Sequence, residues 1–191
     1  MGLISNSAPP GGYMNLSIFE QAQSQAVIEL FKQVFSDSEG KDEGETIGAL
    51  VSEMIETTDA KDLIGFVVSD DDHLTGAIFF SRFSLESDTG AFILSPVAVS
   101  TDQQGKGIGQ KLIRFGLNHL RENGVELALT YGDPGYYSKV GFQAISEETI
   151  KAPQKLSHPH GWLAQSLTGD TIPPISGETR CVEALNKPVY W

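Results

Sequence analysis

Leu94–Leu120 reads LSPVAVSTDQQGKGIGQKLIRFGLNHL. An apolar run, Phe92 to Val99, stops at the polar residues Ser100 to Gln103. Gln104-Gly105-Lys106-Gly107-Ile108-Gly109 follows, and then an apolar pattern of helical period in Ile108, Leu112, Phe115 and Leu120. The order predicted is strand, glycine-rich turn, helix. Such a turn leaves backbone N–H groups at the helix start without intrahelical partners, where an anion can sit. Glycine lets a ligand come close to the backbone and permits dihedrals that a β-carbon forbids. The stretch is therefore read as a seat for phosphate or pyrophosphate. The alternative is a tight connection whose glycines serve packing alone, but three glycines after a polar turn exceed that need.

Two common phosphate motifs do not fit. The Walker spacing G-x-x-x-x-G-K-[ST] is absent, and the dinucleotide fingerprint G-x-G-x-x-G would need glycine where Gln110 stands. The stretch does match Gln/Arg-x-x-Gly-x-Gly/Ala after a strand containing Val-Ala-Val, and Tyr-x-x-x-Gly-Phe follows at Tyr137 to Phe142. In these features the chain resembles the GNAT acyltransferase superfamily, over roughly Asn15 to Leu167. The resemblance implies an α/β fold, a central mixed sheet flanked by helices, and an acetyl-CoA cosubstrate.

The resemblance also implies residue roles. Val97, Ala98 and Val99 match the splayed strand that pairs with the pantetheine arm and offers an N–H to the thioester oxygen. Gln104, Gly105, Lys106, Gly107, Ile108 and Gly109 match the pyrophosphate cradle. Lys106 or Lys111 either adds positive charge there or is a solvated side chain. Tyr137 matches the general acid, and a phenol suits protonation of a thiolate better than a carboxylate, which is already ionised. Tyr136 is read as a packed ring. Many members place an asparagine after the preceding strand; here the chain reads Gly132-Asp133-Pro134. Asp133 and Glu86 are base candidates by type only.

The implied function is N-acetyltransferase activity: transfer of acetyl to a primary amine by direct attack in a ternary complex. The alternative is a non-catalytic acyl-CoA binding or sensing module of the same fold. The acceptor is a small-molecule or peptide amine, and a homodimer is allowed.

The chain has 191 residues and a net charge of -12, which suits one domain and argues against nucleic acid as the main partner. Its one cysteine, Cys181, excludes an internal disulfide and a multi-cysteine metal site. No metal site is expected: Asp70-Asp71-Asp72-His73 reads as a hairpin turn, and His158 and His160 as loop residues. No apolar run is long enough to span a membrane, and the N-terminus lacks a signal-peptide layout, so a soluble cytoplasmic protein is expected.

Residues 1–13 are read as a disordered arm or cloning remnant, 14–168 as the acetyltransferase domain, and 169–191 as an extension packed on it. In chain order the expectation is a strand at Asn15 to Ile18, a helix entered through a Ser17/Glu20 capping box, an acidic loop from Asp37 to Glu45 and a second helix. A hairpin follows at Leu63–Ser69 and Leu74–Phe83, then Ala91–Val99. Pro96 implies an edge, bulge or splay in that strand. The helix after the glycines ends near Asn123-Gly124. Strands then follow at Val125–Thr130, from Gly141 and at Trp162–Leu167, with Cys181–Leu185 as a candidate last strand.

Overall fold

The computed structural model describes residues 13–191, so the reading of residues 1–12 lies outside the described residues. The strands are β1 (Met14–Ile18), β2 (Leu63–Asp70), β3 (His73–Phe83), β4 (Ala91–Val99), β5 (Leu127–Tyr131), β6 (Gln143–Ala144) and β7 (Trp162–Ser166). They form one sheet in the order β1-β2-β3-β4-β5-β7-β6. β1 to β4 are an antiparallel meander, β4 and β5 run parallel, and β7 lies antiparallel between β5 and β6. The parallel step needs a crossover, which is α3 (Ile108–Glu122). The sheet is mixed and helix-flanked, as expected.

Alternation along β3 makes two cores. Phe79 and Phe83 point into a cluster with Val27 and Phe31 of α1 (Ser24–Glu39) and Leu50 and Met54 of α2 (Lys41–Thr57). Ile78 and Phe80 point the other way, onto Leu112, Ile113, Leu117 and Leu120 of α3. Successive strand side chains alternate faces, so one apolar strand serves both layers. Among the described residues no helix is long and apolar enough to cross a membrane.

Several local expectations are corrected. Asp37 to Glu45 is no loop: α1 runs to Glu39 and α2 starts at Lys41, with Gly40 alone between them. Gly40 has φ 102, which lets the chain reverse in one residue. Glycine and acid in the sequence suggested a loop, but Gly44 is there because a β-carbon would run into Ser36 and Lys32 of the facing helix. The Lys32–Glu45 ion pair, 2.9 Å, also bridges the two helices.

The capping box is not at Ser17/Glu20. The Glu20 N–H donates to Gln23 Oε1 at 2.8 Å, one turn later, ahead of a short 3-10 turn. The strand expected from Gly141 is only Gln143–Ala144. Cys181–Leu185 is not a strand: Glu183–Leu185 is a 3-10 turn that buries Ala184 and Leu185. The hairpin turn at Asp71 and Asp72 has positive φ at both residues, the backbone of a tight two-residue reversal.

The segment after Ile172 crosses the α1–α2 side. Arg180 pairs with Ser84, and Ile175 with Ile150. Trp191 is buried, its indole donating to Leu185 O at 2.9 Å, and its ring stacks on Tyr131. Lys187 forms an ion pair with Glu53 of α2.

Candidate active site

The site begins where two parallel strands part. β4 and β5 stay in register from Ala91↔Leu127 to Leu94↔Thr130 and no further. At that apex the Thr130 hydroxyl donates to Leu94 O at 2.9 Å. Beyond it, Val97, Ala98 and Val99 still pair with β3 on their other side, opposite Ile78, Ala77 and Gly76. Ser95 and Pro96 fill the interval between the paired Leu94 and Val97, where β3 has only Phe79, so β4 carries a bulge there. Pro96 thus sits at both a bulge and a splay. The β5-facing edge of Val97–Val99 is open to a ligand's polar groups.

The glycine turn closes this opening from below. After β4 the chain makes a 3-10 turn, Thr101–Gln103, and then doubles back. Gln104 ties the turn to the strand, its Nε2 donating to Val99 O at 3.0 Å. Gly105 and Gly107 both have φ 77, and a β-carbon on either would meet nothing within 4 Å. Their side-chain directions are open space. Gly107 precedes the first residue of α3, and no side chain caps that helix start. The first amides of α3 therefore stay unpaired and aim into the space beside β4, which suits an anion.

A cavity of about 580 Å³ joins the two features. Its walls include Val97, Ala98, Val99, Gln104, Gly105, Gly107, Ile108 and Gly109, so the structure brings together every predicted cofactor residue except Lys106. Lys106 instead turns outward and donates to Gln103 Oε1 at 3.1 Å. Side chains in a tight turn diverge, and position in the motif does not fix where each one points. Lys111 does not line the cavity either; the cation that does is Lys139, whose backbone carbonyl accepts from Arg114 Nη2 at 2.7 Å. Val34, Phe35 and Ser38 of α1 form a further wall. Nothing in the glycine motif points to α1, and only the packing of α1 across β3 and β4 brings it there.

Two adjacent tyrosines complete the cavity, from α4 (Pro134–Tyr137). Asp133 accepts from the Gly135 N–H at 2.9 Å, and its carbonyl accepts from the N–H groups of Tyr136 and Tyr137. Asp133 is thus engaged in capping. Glu86 accepts from the Glu178 N–H at 3.0 Å and holds the C-terminal segment. Neither carboxylate lines the cavity.

Tyr137 lies over Gly132, stacks edge-on against Phe142 at 5.9 Å and faces Thr130 at the apex. Burial pushes its phenol up to about 12, with neighbouring Tyr136 adding to the shift and Thr130 opposing it. It stays protonated at any ordinary pH. Tyr136 meets Tyr137 edge-to-face at 5.1 Å, as a packed ring should. Its hydroxyl continues beyond the packing and ends over Gly109, in the first turn of α3. Burial raises its pKa as well. This placement could not be read from spacing, because adjacent residues of one helical turn point to different ends of a cavity.

Among the described residues no group of three or more His, Cys, Asp or Glu side chains could hold a metal ion. Cys181 is half-buried, and burial pushes its thiol up to about 11.

Comparison with known proteins gives this arrangement its class. Residues 61–144 match the family model described as an acetyltransferase (GNAT) domain. The uncharacterized N-acetyltransferase YjhQ of Escherichia coli is 26% identical over 177 residues, covering 90% of this chain and 93% of that protein. The GNAT family N-acetyltransferase YhbS of Escherichia coli, solved in complex with CoA, superposes with a TM-score of 0.80 at 22% identity over 95% of this chain and 96% of that one. A GNAT family acetyltransferase of Brucella melitensis, solved with acetyl-CoA, gives a TM-score of 0.66 at 25% identity over 92% of this chain and 99% of that one. The chain thus carries a match to a GNAT acetyltransferase domain over residues 61–144 and shares the fold of these GNAT acetyltransferases.

Proposed function

We propose that this protein transfers the acetyl group of acetyl-CoA to a primary amine, by direct attack in a ternary complex. The observation that carries the reading is one cavity with an uncapped, glycine-opened helix start at one end and a half-buried phenol at the splay apex at the other. The first suits the pyrophosphate of CoA, and the second suits its sulfur. Both solved neighbours cited above were crystallised with CoA or acetyl-CoA.

In this reading the pantetheine arm lies along Val97–Val99 as an extra strand, using backbone groups that β5 leaves unpaired. A backbone N–H of this edge holds the thioester oxygen, which gains negative charge as the amine attacks. The neutral amine nitrogen bonds to the carbonyl carbon and passes its proton to water. The carbon–sulfur bond breaks, and the sulfur takes a proton from Tyr137. A phenol held near 12 is protonated before this step and regains its proton from solvent after it. The catalytic unit is residues 14–168, with 169–191 packed against α2 and β5.

The test is release of free thiol from acetyl-CoA on a panel of small amines, polyamines, aminoglycosides and peptides. Acceptor-dependent release supports the enzyme. CoA binding without release on any acceptor would favour the non-catalytic acyl-CoA module. At a hundredfold excess over its Kd, CoA should stabilise the fold by about 2.7 kcal/mol in either case.

A further inference from the structure

The hydroxyl of Tyr136 is not accounted for by packing. Its ring is fixed from two sides, by Tyr137 edge-to-face and by the α3-side core. Its backbone is fixed too, since the N–H donates to Asp133 O at 3.2 Å inside a turn capped by Asp133. Oη therefore has a defined position. That position is over Gly109 and beside Val99, where the cradle meets the splayed strand, and it opens on the cavity.

Among the described residues this oxygen has no hydrogen-bond partner, and burial alone raises its pKa. A phenol that lines a cavity and has no partner within the protein is free to donate to a ligand there. At neutral pH the group is a donor, and it stands over Gly109 in the first turn of α3, whose amides no side chain caps. A donor added to such amides strengthens an anion site, because hydrogen bonds to charged oxygens are the strong ones.

We infer that Tyr136 Oη donates to the pyrophosphate of the bound acyl-CoA, as a binding residue separate from the glycine motif. The inference rests on the acyl-CoA reading above. It also divides the motif's glycines by purpose. Gly105 and Gly107 face open space and leave room for the ligand. Gly109 is small because a β-carbon there would overlap Tyr136 Oη. The last small residue of the motif serves a protein side chain, and through it the ligand.

Tyr136→Phe removes the oxygen and keeps the ring. Titration calorimetry of wild type and variant with CoA, and separately with pantetheine, which lacks the pyrophosphate, reads the effect. The variant should bind CoA roughly tenfold more weakly and pantetheine as wild type does. An unchanged CoA affinity would overturn the inference, and so would an equal loss for both ligands, which would mean a disturbed pantetheine path. Wild-type protein that binds no CoA would overturn the acyl-CoA reading itself, and this inference with it.

Discussion

The two ends of the cavity are built by opposite means. At the apex, β4 and β5 end their pairing on Leu94 and Thr130, and Tyr137 is wedged in by Gly132 and Phe142. The apex is close-packed around one phenol. At the α3 start there is backbone, space and a single hydroxyl: Gly105 and Gly107 at φ 77, unpaired amides and Tyr136 Oη. The first end should govern how fast the reaction runs, and the second how tightly the cosubstrate binds. Two tyrosines adjacent in sequence fall on either side of that division. Their phenylalanine variants should therefore fail differently.

The largest effect is expected at the apex. Tyr137→Phe should lower kcat by roughly 10²–10⁴-fold, the usual contribution of a positioned acid. The loss should appear equally in kcat/KM, with KM for acetyl-CoA little changed, because the cradle is untouched. Steady-state kinetics on the best acceptor of the panel decides it. A variant with normal kcat and raised KM would place Tyr137 with the cradle and erase the division.

How much of this was legible in the sequence follows the same line. The strand, glycine turn and helix were legible because they are local and follow one another within Leu94–Leu120. Side chains at the same place were less so. Lys106 is in the motif yet faces Gln103, while Lys139, thirty-odd residues on, lines the cavity. The acid role proposed for Tyr137 came only through resemblance, since nothing in its local pattern separates an acid from a packed ring. The wall from α1 and the seat of Trp191 on Tyr131 were not legible at all. They depend on which elements the sheet order brings together, and β7 entering between β5 and β6 has no local signature. The single-residue α1–α2 turn at Gly40 was misread because glycines needed for helix crossing look like loop glycines.

A smaller effect sharpens the comparison from the apex side. The Tyr137 phenol, at about 12 against 10.0 unperturbed, holds its proton more tightly folded than unfolded. Its contribution to stability is therefore fully present below pH 10 and is lost as pH rises through 12. Two units correspond to ~2–3 kcal/mol across that window. Tyr136 and several lysines also have raised values, so the wild-type curve alone mixes sources. The comparison with Tyr137→Phe isolates the term: chemical denaturation at pH 9 and pH 11.5 should show wild type losing more stability than the variant. Parallel losses would mean that solvent reaches the phenol.

The smallest effect tests the cradle end, through Gly109→Ala. Alanine favours helix over glycine by up to ~1 kcal/mol, and Gly109 has helical backbone, so this gain offsets part of the cost of the new contact in the apo protein. The new methyl group, however, takes the volume that Tyr136 Oη occupies, and would stand 3.3 Å from Val99 Cγ2. Because Tyr137 holds the Tyr136 ring edge-to-face, the hydroxyl can yield only by a small tilt. Affinity for CoA should fall by a few-fold, about 0.5–1 kcal/mol, less than for outright loss of the oxygen. In the Tyr136→Phe background the same methyl group finds the space vacated, and should cost nothing further. The double-mutant cycle on CoA affinity therefore predicts non-additivity, with the double variant matching Tyr136→Phe alone. Additive losses would mean that Gly109 is small for the ligand's sake, and that the hydroxyl above it is a bystander.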